Sequence, residues 1–451
     1  MSINKRLPAA AMLVVAFALV AAACGTSDDT TTTAAAAGAT TTTAAAAEET
    51  TTTEEATEEP EFGALGGVIV ASGDEIQIRV SQVLSGANEG LGVPNLRGVE
   101  LAVADYGDIG GHAVSIGTPQ DSLCSAEGGQ AVGQAIVAQE DVIGVIGTSC
   151  SSAGVAMSAL ISEAGMVMIS PSNTSPALTS DLEGTAGSDY NPGYYRTAHN
   201  DLFQGAAVAE FVAEFLGVTT AATIHDGSSY AEGLVTAFGA AFEELGGTIT
   251  TATAVSVGDT DMVPVLTEIA AGSPEVLFYP IFVDEGSFIA QQWDSVAGLE
   301  ETTQIGADGI LTDAYLEVPE TLDNYLSGPN LDYGTNVSET GVNAESFLAT
   351  YEETYGEAPT AVFWAHSYDA TVLLLTAIDA VAVDVDGSLF IDRQLVRDAL
   401  TATRDFAGII GTMNCDDFGD CGANRIALYQ NADPANVADA YTNIVFEWEP
   451  S

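Results

Sequence analysis

Short apolar runs alternate with longer helical patterns along most of the chain. The runs predict strands, and the stretches between them predict helices. The predicted strands span residues 76–83, 113–117, 142–147, 166–169, 221–225, 248–256, 276–279 and 303–306. Helices are predicted at 94–105 and 125–139, whereas residues 179–192 show no period. Strands that alternate with helices favour an α/β protein whose parallel sheets are covered on both faces.

The C-terminal part of the chain is less regular. Its patterns predict helices at 344–356, 364–382 and 392–402, followed by short extended pieces at 425–429 and 444–448. The roughly 390 residues from Phe62 onward are enough for two domains with full cores. Because the strands fall into two sets, we expect two doubly wound lobes, with a ligand crevice where the carboxyl ends of their strands face each other.

Two neighbouring predicted strands end in hydroxyl-rich turns. The strand at 142–147 is followed by residues 148–152, Thr-Ser-Cys-Ser-Ser, which open an Ala-rich helix. The strand at 166–169 is followed by residues 170–175, which contain four hydroxyl side chains. Hydroxyl groups and the free N–H groups of a helix start together form a receptor for a small carboxylate. The turns therefore predict capture of an anion.

Residues 1–24 form a sorting signal, with a positively charged start and an apolar core at 9–22. The residues before Cys24 resemble a bacterial lipobox, with Ala21 in place of the usual Leu, and predict lipidation of Cys24. The alternative is an ordinary cleaved signal with an incidental cysteine. An uncleaved membrane helix is disfavoured because the apolar core is shorter than the ~20 residues that span a bilayer.

Residues 25–61 consist mostly of Thr, Ala and Glu and have almost nothing to bury. This composition predicts a disordered, self-repelling tether. We therefore expect an exported protein, held by lipid at the outer face of the bacterial cytoplasmic membrane, at the cell surface or in the periplasm.

The cysteine count supports export. With Cys24 set aside for lipid, four cysteines remain, which is enough for two disulfides in an oxidising compartment. Cys415 and Cys421 flank a short turn, and Cys124 and Cys150 each follow a predicted strand, so these are the expected pairs. Zinc is the competing interpretation, but no CxxC occurs and the four histidines are scattered. We expect no metal and no other cofactor.

The charge balance is strongly acidic, with 9 basic and 64 acidic residues and a net charge of −55. Lys5 and Arg6 belong to the signal, so seven of the nine basic residues remain after it, all of them arginine. Nucleic-acid binding and adhesion to anionic lipid are excluded, because both need a basic surface. The acidity is interpreted as a solubility or salt adaptation; a cation-attracting surface is the alternative.

The chain resembles the type I periplasmic binding proteins, and more narrowly the leucine/isoleucine/valine-binding proteins of branched-chain amino-acid ABC importers. The resemblance covers roughly residues 76–448. The motifs that carry it are Leu84-Ser85-Gly86, Arg97-Gly98 with Leu101-Ala102-Val103-Ala104-Asp105, Cys150-Ser151-Ser152, Ser170-Pro171 through Thr179, and His225-Asp226 with Tyr230-Ala231-Glu232-Gly233.

The resemblance implies two lobes joined by a three-stranded hinge, with crossings near Thr197, Asn330 and Thr412. The N-terminal lobe would comprise residues 62–197 and 330–412. The C-terminal lobe would comprise residues 198–329 and 413–451. The family also pairs cysteines at the positions of Cys124 and Cys150.

Carried over by position, the family's ligand contacts fall on three residues of the first lobe. Ser151 would donate a hydrogen bond to the α-carboxylate of an amino acid. Thr174 would offer its backbone N–H to the carboxylate and its hydroxyl to the ligand. The carbonyl oxygen of Ser172 would accept a hydrogen bond from the α-ammonium group, a main-chain contact that does not depend on the side chain.

The second lobe would contribute Tyr230 and Phe282 as aromatic contacts and Asp308 as the carboxylate that faces the ammonium group. The family has a glutamate at the position of Asp308, one methylene longer. Leu91 replaces an aromatic residue of the family near the ligand side chain, and Phe363 could line the same pocket. The ligand is therefore not fixed, since relatives on this scaffold take amides, urea, aromatic acids or other amino acids.

Each assignment has a structural alternative. Ser151 could cap its helix, and Thr174 could be a turn residue. Tyr230 and Phe282 could be core aromatics, and Asp308 followed by glycine is a common turn pair.

We expect a monomeric solute-binding subunit that delivers its ligand to an ABC permease and performs no chemistry. A sensor that uses the same cleft to signal to a membrane partner is the alternative, and neighbouring transporter genes would distinguish the two. A hydrolase is disfavoured because no GxSxG, HExxH, Walker A or GxGxxG motif stands in the right context. A structural cell-wall protein would leave the cleft residues without a purpose.

Overall fold

The computed structural model describes residues 61–450. The predicted signal at 1–24, the predicted lipidation site at Cys24 and all but the last residue of the predicted 25–61 tether lie outside the described residues. None of the helices between residues 61 and 450 combines the length and apolarity needed to cross a membrane.

Eighteen strands are present between residues 61 and 450. In chain order they are β1 (Gly67–Val70), β2 (Ile76–Gln82), β3 (Val114–Ser115), β4 (Gln120–Asp121), β5 (Val142–Gly147), β6 (Val167–Ser170), β7 (Tyr194–Arg196), β8 (Thr220–His225), β9 (Thr248–Ala254), β10 (Val276–Phe278), β11 (Thr303–Gly306), β12 (Tyr325–Pro329), β13 (Val383–Val385), β14 (Ser388–Asp392), β15 (Phe406–Gly408), β16 (Gly411–Met413), β17 (Ile426–Gln430) and β18 (Ile444–Trp448).

Twelve α-helices lie in the same part of the chain. They are α1 (Glu89–Tyr106), α2 (Ala126–Val137), α3 (Ser151–Glu163), α4 (Asp201–Glu210), α5 (Ser229–Glu244), α6 (Val263–Gly272), α7 (Val283–Gln292), α8 (Asp313–Leu316), α9 (Ala344–Tyr355), α10 (Trp364–Val381), α11 (Arg393–Thr401) and α12 (Val437–Ala440). A five-residue π-helical turn, Phe211–Phe215, continues α4.

The first sheet is entirely parallel. Its strand order is β3-β2-β5-β6-β7, and the short strand β4 also pairs with β2. Strand β5 is buried along its whole length, as its uninterrupted apolar sequence predicts for a central parallel strand. Helix α10 covers one face of this sheet and packs against α1, while α2 and α3 pack together on another side.

The second sheet has the order β18-β17-β12-β11-β10-β8-β9. The five strands from β8 to β12 are parallel, and β17 and β18 extend the sheet with antiparallel pairing. The chain thus leaves the first sheet after β7 and forms the second sheet through β12. It then returns to the first sheet, which α10 covers, and rejoins the second sheet at β17. The predicted α/β class with two doubly wound lobes is confirmed; the lobe boundaries and the positions of the three crossings remain predictions.

Helix α1 begins earlier than predicted. It starts at Glu89, so Pro94 lies inside the helix and not at its beginning. A proline inside a helix leaves the carbonyl four residues earlier without a donor. Here the Thr360 hydroxyl donates to the Gly90 carbonyl oxygen at 3.0 Å and replaces the missing bond. This earlier start places Leu91 in the first turn of the helix.

Both predicted disulfides are present. Cys124 pairs with Cys150, which ties the start of α3 to the loop after β4. Cys415 pairs with Cys421 and closes a short loop between β16 and β17.

Gly147, the last residue of β5, lies in close contact with the neighbouring strand. It has φ = +145°, and a Cβ at this position would lie 2.0 Å from the backbone oxygen of Ser81. Only glycine can occupy that point without displacing β2.

Candidate functional site

A small cavity lies where loops after strands of the first sheet meet loops after strands of the second sheet. Its wall mixes hydroxyl, carboxylate and apolar side chains. The lining residues are Leu91, Ser149, Cys150, Ser151, Ser172, Tyr230, Phe282, Asp308, Gly309 and Phe363.

One side of the cavity is formed by the start of α3 and the turn after β6. Ser151 is the first residue of α3, and its hydroxyl accepts the N–H of Ser175 at 3.3 Å rather than capping its own helix. The backbone N–H groups of Ser151 and Ser152 donate to no described residue. Since a helix start carries free N–H groups and a partial positive charge, this corner can bind a carboxylate.

The turn after β6 is held open toward the cavity by side-chain bonds. The Ser172 hydroxyl donates to the Ser149 carbonyl oxygen at 3.1 Å and accepts from Asn95 at 3.2 Å. The Ser172 carbonyl oxygen takes no hydrogen bond from any described residue. A free acceptor therefore lies beside the free donors of the α3 start.

Thr174 is fully buried and is not among the lining residues. Its carbonyl oxygen accepts the N–H of Asp201 at 2.9 Å, which brings the first residue of α4 next to it. Neither the Thr174 hydroxyl nor either carboxylate oxygen of Asp201 has a hydrogen-bond partner among the described residues. Asp201 is fully buried too and does not line the cavity, so this pair lies behind the wall and adds negative charge next to the site.

Asp308 stands on the opposite side, at the start of a short 3₁₀ turn after β11. Its Oδ1 accepts from the Gln204 amide at 2.8 Å and from the Tyr230 hydroxyl at 3.1 Å. The Tyr230 hydroxyl in turn accepts the N–H of Gly309 at 3.0 Å. Both side-chain bonds fall on Oδ1, which leaves Oδ2 free of hydrogen bonds from described residues.

Burial dominates the electrostatics of this acidic pair. It raises the pKa of Asp308 to about 6, although the bonds from Gln204 and Tyr230 act in the opposite direction. Burial and the nearby charge of Asp308 raise the pKa of Asp201 well above its usual range. The nearest arginine, Arg196, forms its ion pair with Asp420 instead. A cation placed between the two carboxylates would stabilise their charged forms.

The remaining wall is apolar. Phe282 packs against Tyr230 with ring centroids 5.4 Å apart. Leu91 and Phe363 close the cavity from the first-sheet side, and the imidazole of His199 stacks on Phe363. An apolar wall next to paired polar contacts is the usual design of a site for a small organic ligand.

Arg196 supports the turn that follows β6. It is fully buried at the end of β7 and ion-pairs with Asp420, which lies in the Cys415–Cys421 loop. Its guanidinium also donates to the carbonyl oxygens of Asn173 and Ser175 at 3.1 and 2.8 Å. A single side chain thus fixes the turn that presents Ser172 and Thr174.

Hydrogen bonds join loops of the first sheet to loops of the second sheet. The N–H of Ser229, at the start of α5, donates to the Ser152 hydroxyl at 3.1 Å. The N–H of Val283, at the start of α7, donates to Asn88 Oδ1 at 3.3 Å. The loops of the two sheets are therefore in direct contact.

Seven of the eight predicted site residues line one cavity, and Thr174 lies behind its wall. Their roles toward a ligand remain predictions. The sequence analysis missed Asp201 and Gln204. Both follow a helix-capping asparagine, Asn200, so they resemble ordinary residues of a first helical turn. No local pattern indicates that Gln204 reaches a carboxylate 104 positions later in the chain.

Two α/β lobes that enclose a small cavity with both polar and apolar walls define a two-lobed solute-binding protein. The chain belongs to the periplasmic binding protein family, whose sequence model matches residues 75–429. The resemblance to the leucine/isoleucine/valine-binding type I members is thereby confirmed.

Similar proteins span nearly the same length. The Leu/Ile/Val-binding protein homolog 3 of Brucella melitensis biotype 1 is 25% identical over 381 residues, covering 82% of this chain and 95% of the relative. The crystal structure of LivJ from Streptococcus pneumoniae, a branched-chain amino acid transporter substrate-binding protein in complex with isoleucine, superposes with a TM-score of 0.67 at 22% identity, covering 83% and 98%. A solute-binding protein from R. palustris in complex with benzoate gives a TM-score of 0.65 at 19% identity, covering 79% and 93%. The two structures show a shared fold.

Proposed function

We propose that this protein is the extracytoplasmic binding subunit of an ABC importer and that it captures a small apolar amino acid. The ligand carboxylate binds the start of α3 at Ser151. Its ammonium group binds between Ser172 and Asp308, and the buried Asp201 adds negative charge behind them. The side chain contacts the apolar wall.

The observation that carries this proposal is the pair of buried carboxylates, Asp308 and Asp201, which have no cation paired with them among the described residues. An unpaired charge inside a protein costs several kcal/mol. A ligand ammonium group would supply the missing positive charge through charge-assisted hydrogen bonds. The free donors at the other side of the cavity match the ligand's carboxylate, so the polarity of the site is that of a zwitterion.

The same pair argues against an aromatic acid such as the benzoate bound by the R. palustris protein. A ligand with a carboxylate and no cation would leave both acidic side chains unpaired. Catalysis is not part of the proposal. No hydroxyl that lines the cavity is hydrogen-bonded to a histidine among the described residues, so none is set up as an activated nucleophile.

The test is a thermal-shift screen with ligands that differ by one group. Leucine is compared with 4-methylpentanoate, which lacks the ammonium group, and with 3-methylbutylamine, which lacks the carboxylate. A ligand that binds only the native state adds about 2.7 kcal/mol of stability at a free concentration of 100 Kd. We expect stabilisation by one or more of leucine, isoleucine and valine and none by either truncated compound.

The variant Asp308→Asn should lose this response, since it keeps the shape of the side chain and removes its charge. If 4-methylpentanoate stabilises the protein as well as leucine does, the site does not recognise the ammonium group. The absence of a shift with every amino acid, amide and aromatic acid would refute a solute-binding role for the cavity.

We also propose that the protein is anchored by lipid on Cys24 and hands its ligand to a membrane permease. Family membership and the lipobox-like signal support this location. In cells grown with a labelled fatty acid, the wild-type chain should carry the label and sediment with membranes. The variant Cys24→Ser should appear unlabelled in the soluble fraction; if it remains lipid-labelled, the anchor lies elsewhere.

A further inference from the structure

We propose that Gln204 is a positioning residue for Asp308, the carboxylate that binds the ammonium group. It orients this carboxylate, favours its ionised form and connects it to the segments that join the two sheets. This inference rests on the proposed function only for the identity of the ligand. The hydrogen-bond geometry that carries it is independent of any ligand.

Gln204 lies in the second turn of α4 and is fully buried. Its amide nitrogen donates to Asp308 Oδ1 at 2.8 Å and to the Ser327 hydroxyl at 2.9 Å. Its amide oxygen faces Nε2 of His199 at 2.5 Å. Both N–H groups and the carbonyl of one buried side chain are therefore engaged, each with a different partner.

These contacts fix the direction of the amide. An ionised Asp308 can only accept hydrogen bonds, so the nitrogen of Gln204 must face it. The amide oxygen then faces His199, which must carry its proton on Nε2. Nδ1 of His199 has no partner among the described residues, and burial lowers the pKa of this imidazole to about 4, so the ring is neutral. The chain of donors thus runs from His199 through Gln204 to the carboxylate.

The partners of Gln204 lie on the connecting segments. His199 is three residues after the end of β7, where the chain leaves the first sheet. Ser327 is on β12, just before the chain returns toward the first sheet. A change in these segments would move the donor that holds Asp308. Closure of the cleft and the orientation of Asp308 are thereby linked through the Gln204 amide.

The charge of Asp308 provides a readout that a purely structural residue would not change. A hydrogen bond to the ionised form lowers a carboxyl pKa, so loss of the Gln204 donor raises it. The other titratable groups around Asp308 are Asp201, Tyr230 and His199. Asp201 and Tyr230 make no hydrogen bond to Gln204. His199 loses a hydrogen bond that raises its pKa, so its ring stays neutral, and a shift of the Asp308 titration would come from the lost donor.

The experiment uses Gln204→Met, which preserves length and burial while removing both donors. The midpoint of Asp308 is followed in ligand-free protein by carboxyl ¹³C NMR, with Asp308→Asn identifying the signal. We expect the midpoint to rise by about one pH unit. Ser327→Ala is the matched control, because it removes the other acceptor of the same amide and should leave the midpoint in place.

Leucine affinity gives the second readout. If the midpoint moves from about 6 to about 7, Gln204→Met should weaken binding about fivefold at pH 6 and hardly at all at pH 8. A uniform loss at both pH values, or a midpoint equal to that of the wild type, would overturn the proposal. A shifted midpoint in a protein that binds no amino acid would uphold the role of Gln204 and refute the proposed ligand.

A second variant covers the case in which Gln204→Met does not fold. Gln204→Glu has the same shape and presents an acceptor where Asp308 needs a donor. It should raise the midpoint of Asp308 further than Gln204→Met would. A midpoint in Gln204→Glu equal to or below that of the wild type would overturn the proposal.

Discussion

Replacing Arg196 with methionine should be among the most damaging single changes in the protein. The guanidinium has no solvent exposure and pairs with Asp420, whose side chain is 10% exposed. It also donates to the carbonyl oxygens of Asn173 and Ser175 and to the Thr179 hydroxyl. Removing one partner of a buried ion pair costs about 3–5 kcal/mol, because the other charge is left uncompensated. We expect the free energy of unfolding to fall by this amount.

The assay is urea unfolding followed by both tryptophan fluorescence and circular dichroism, since coincident curves are needed for a single free energy. Arg425→Met is the matched control. Arg425 pairs with Glu449 at the surface, with side-chain exposures of 31% and 64%, and such pairs contribute at most about 1 kcal/mol. If the two variants lose equal stability, the buried pair of Arg196 and Asp420 does not hold the turn after β6 as the contacts indicate.

The two disulfides should differ in their contribution, because Cys124 and Cys150 are 26 positions apart and Cys415 and Cys421 only 6. Loop-closure entropy gives about 3.5 kcal/mol for the longer loop and about 2.4 kcal/mol for the shorter one. Urea unfolding of the two double-serine variants checks the order, and a reversed order contradicts the entropic explanation. Amino-acid affinity should depend on pH through Asp308, whose raised pKa of about 6 makes it protonated in mild acid. Calorimetric Kd values should be about tenfold weaker at pH 5 than at pH 8, and a flat profile would show that this carboxylate does not bind the ammonium group.

Much of the fold could be predicted because parallel strands buried on both faces have continuous apolar sequences. Strands β5 and β11 have the predicted bounds, and helices α9 to α11 lie within a residue of them. The small sheet formed by β1, β14 and β13 was not predicted. It pairs Gly67 with Asp392, and register between such distant segments leaves no local signal.

The candidate site could be predicted in part. Hydroxyl groups after adjacent parallel strands converge for a simple reason, since those strand ends share one edge of a sheet. Asp201 and Gln204 belong to the site through tertiary contacts alone. Their sequence neighbourhood is that of any capped helix, and only their position in the folded chain gives the amide and the carboxylate a role at the site.

Two of the hydrogen bonds that join loops of the two sheets use uncharged groups, with main-chain N–H donors at Ser229 and Val283 and side-chain acceptors on Ser152 and Asn88. Each contributes about 0.5–1.5 kcal/mol net. In a chain with a net charge of −55, a latch made from ion pairs would weaken as salt rises, whereas this one is indifferent to ionic strength. Salt should therefore change these contacts between the two lobes very little, and their modest strength lets the lobes separate again.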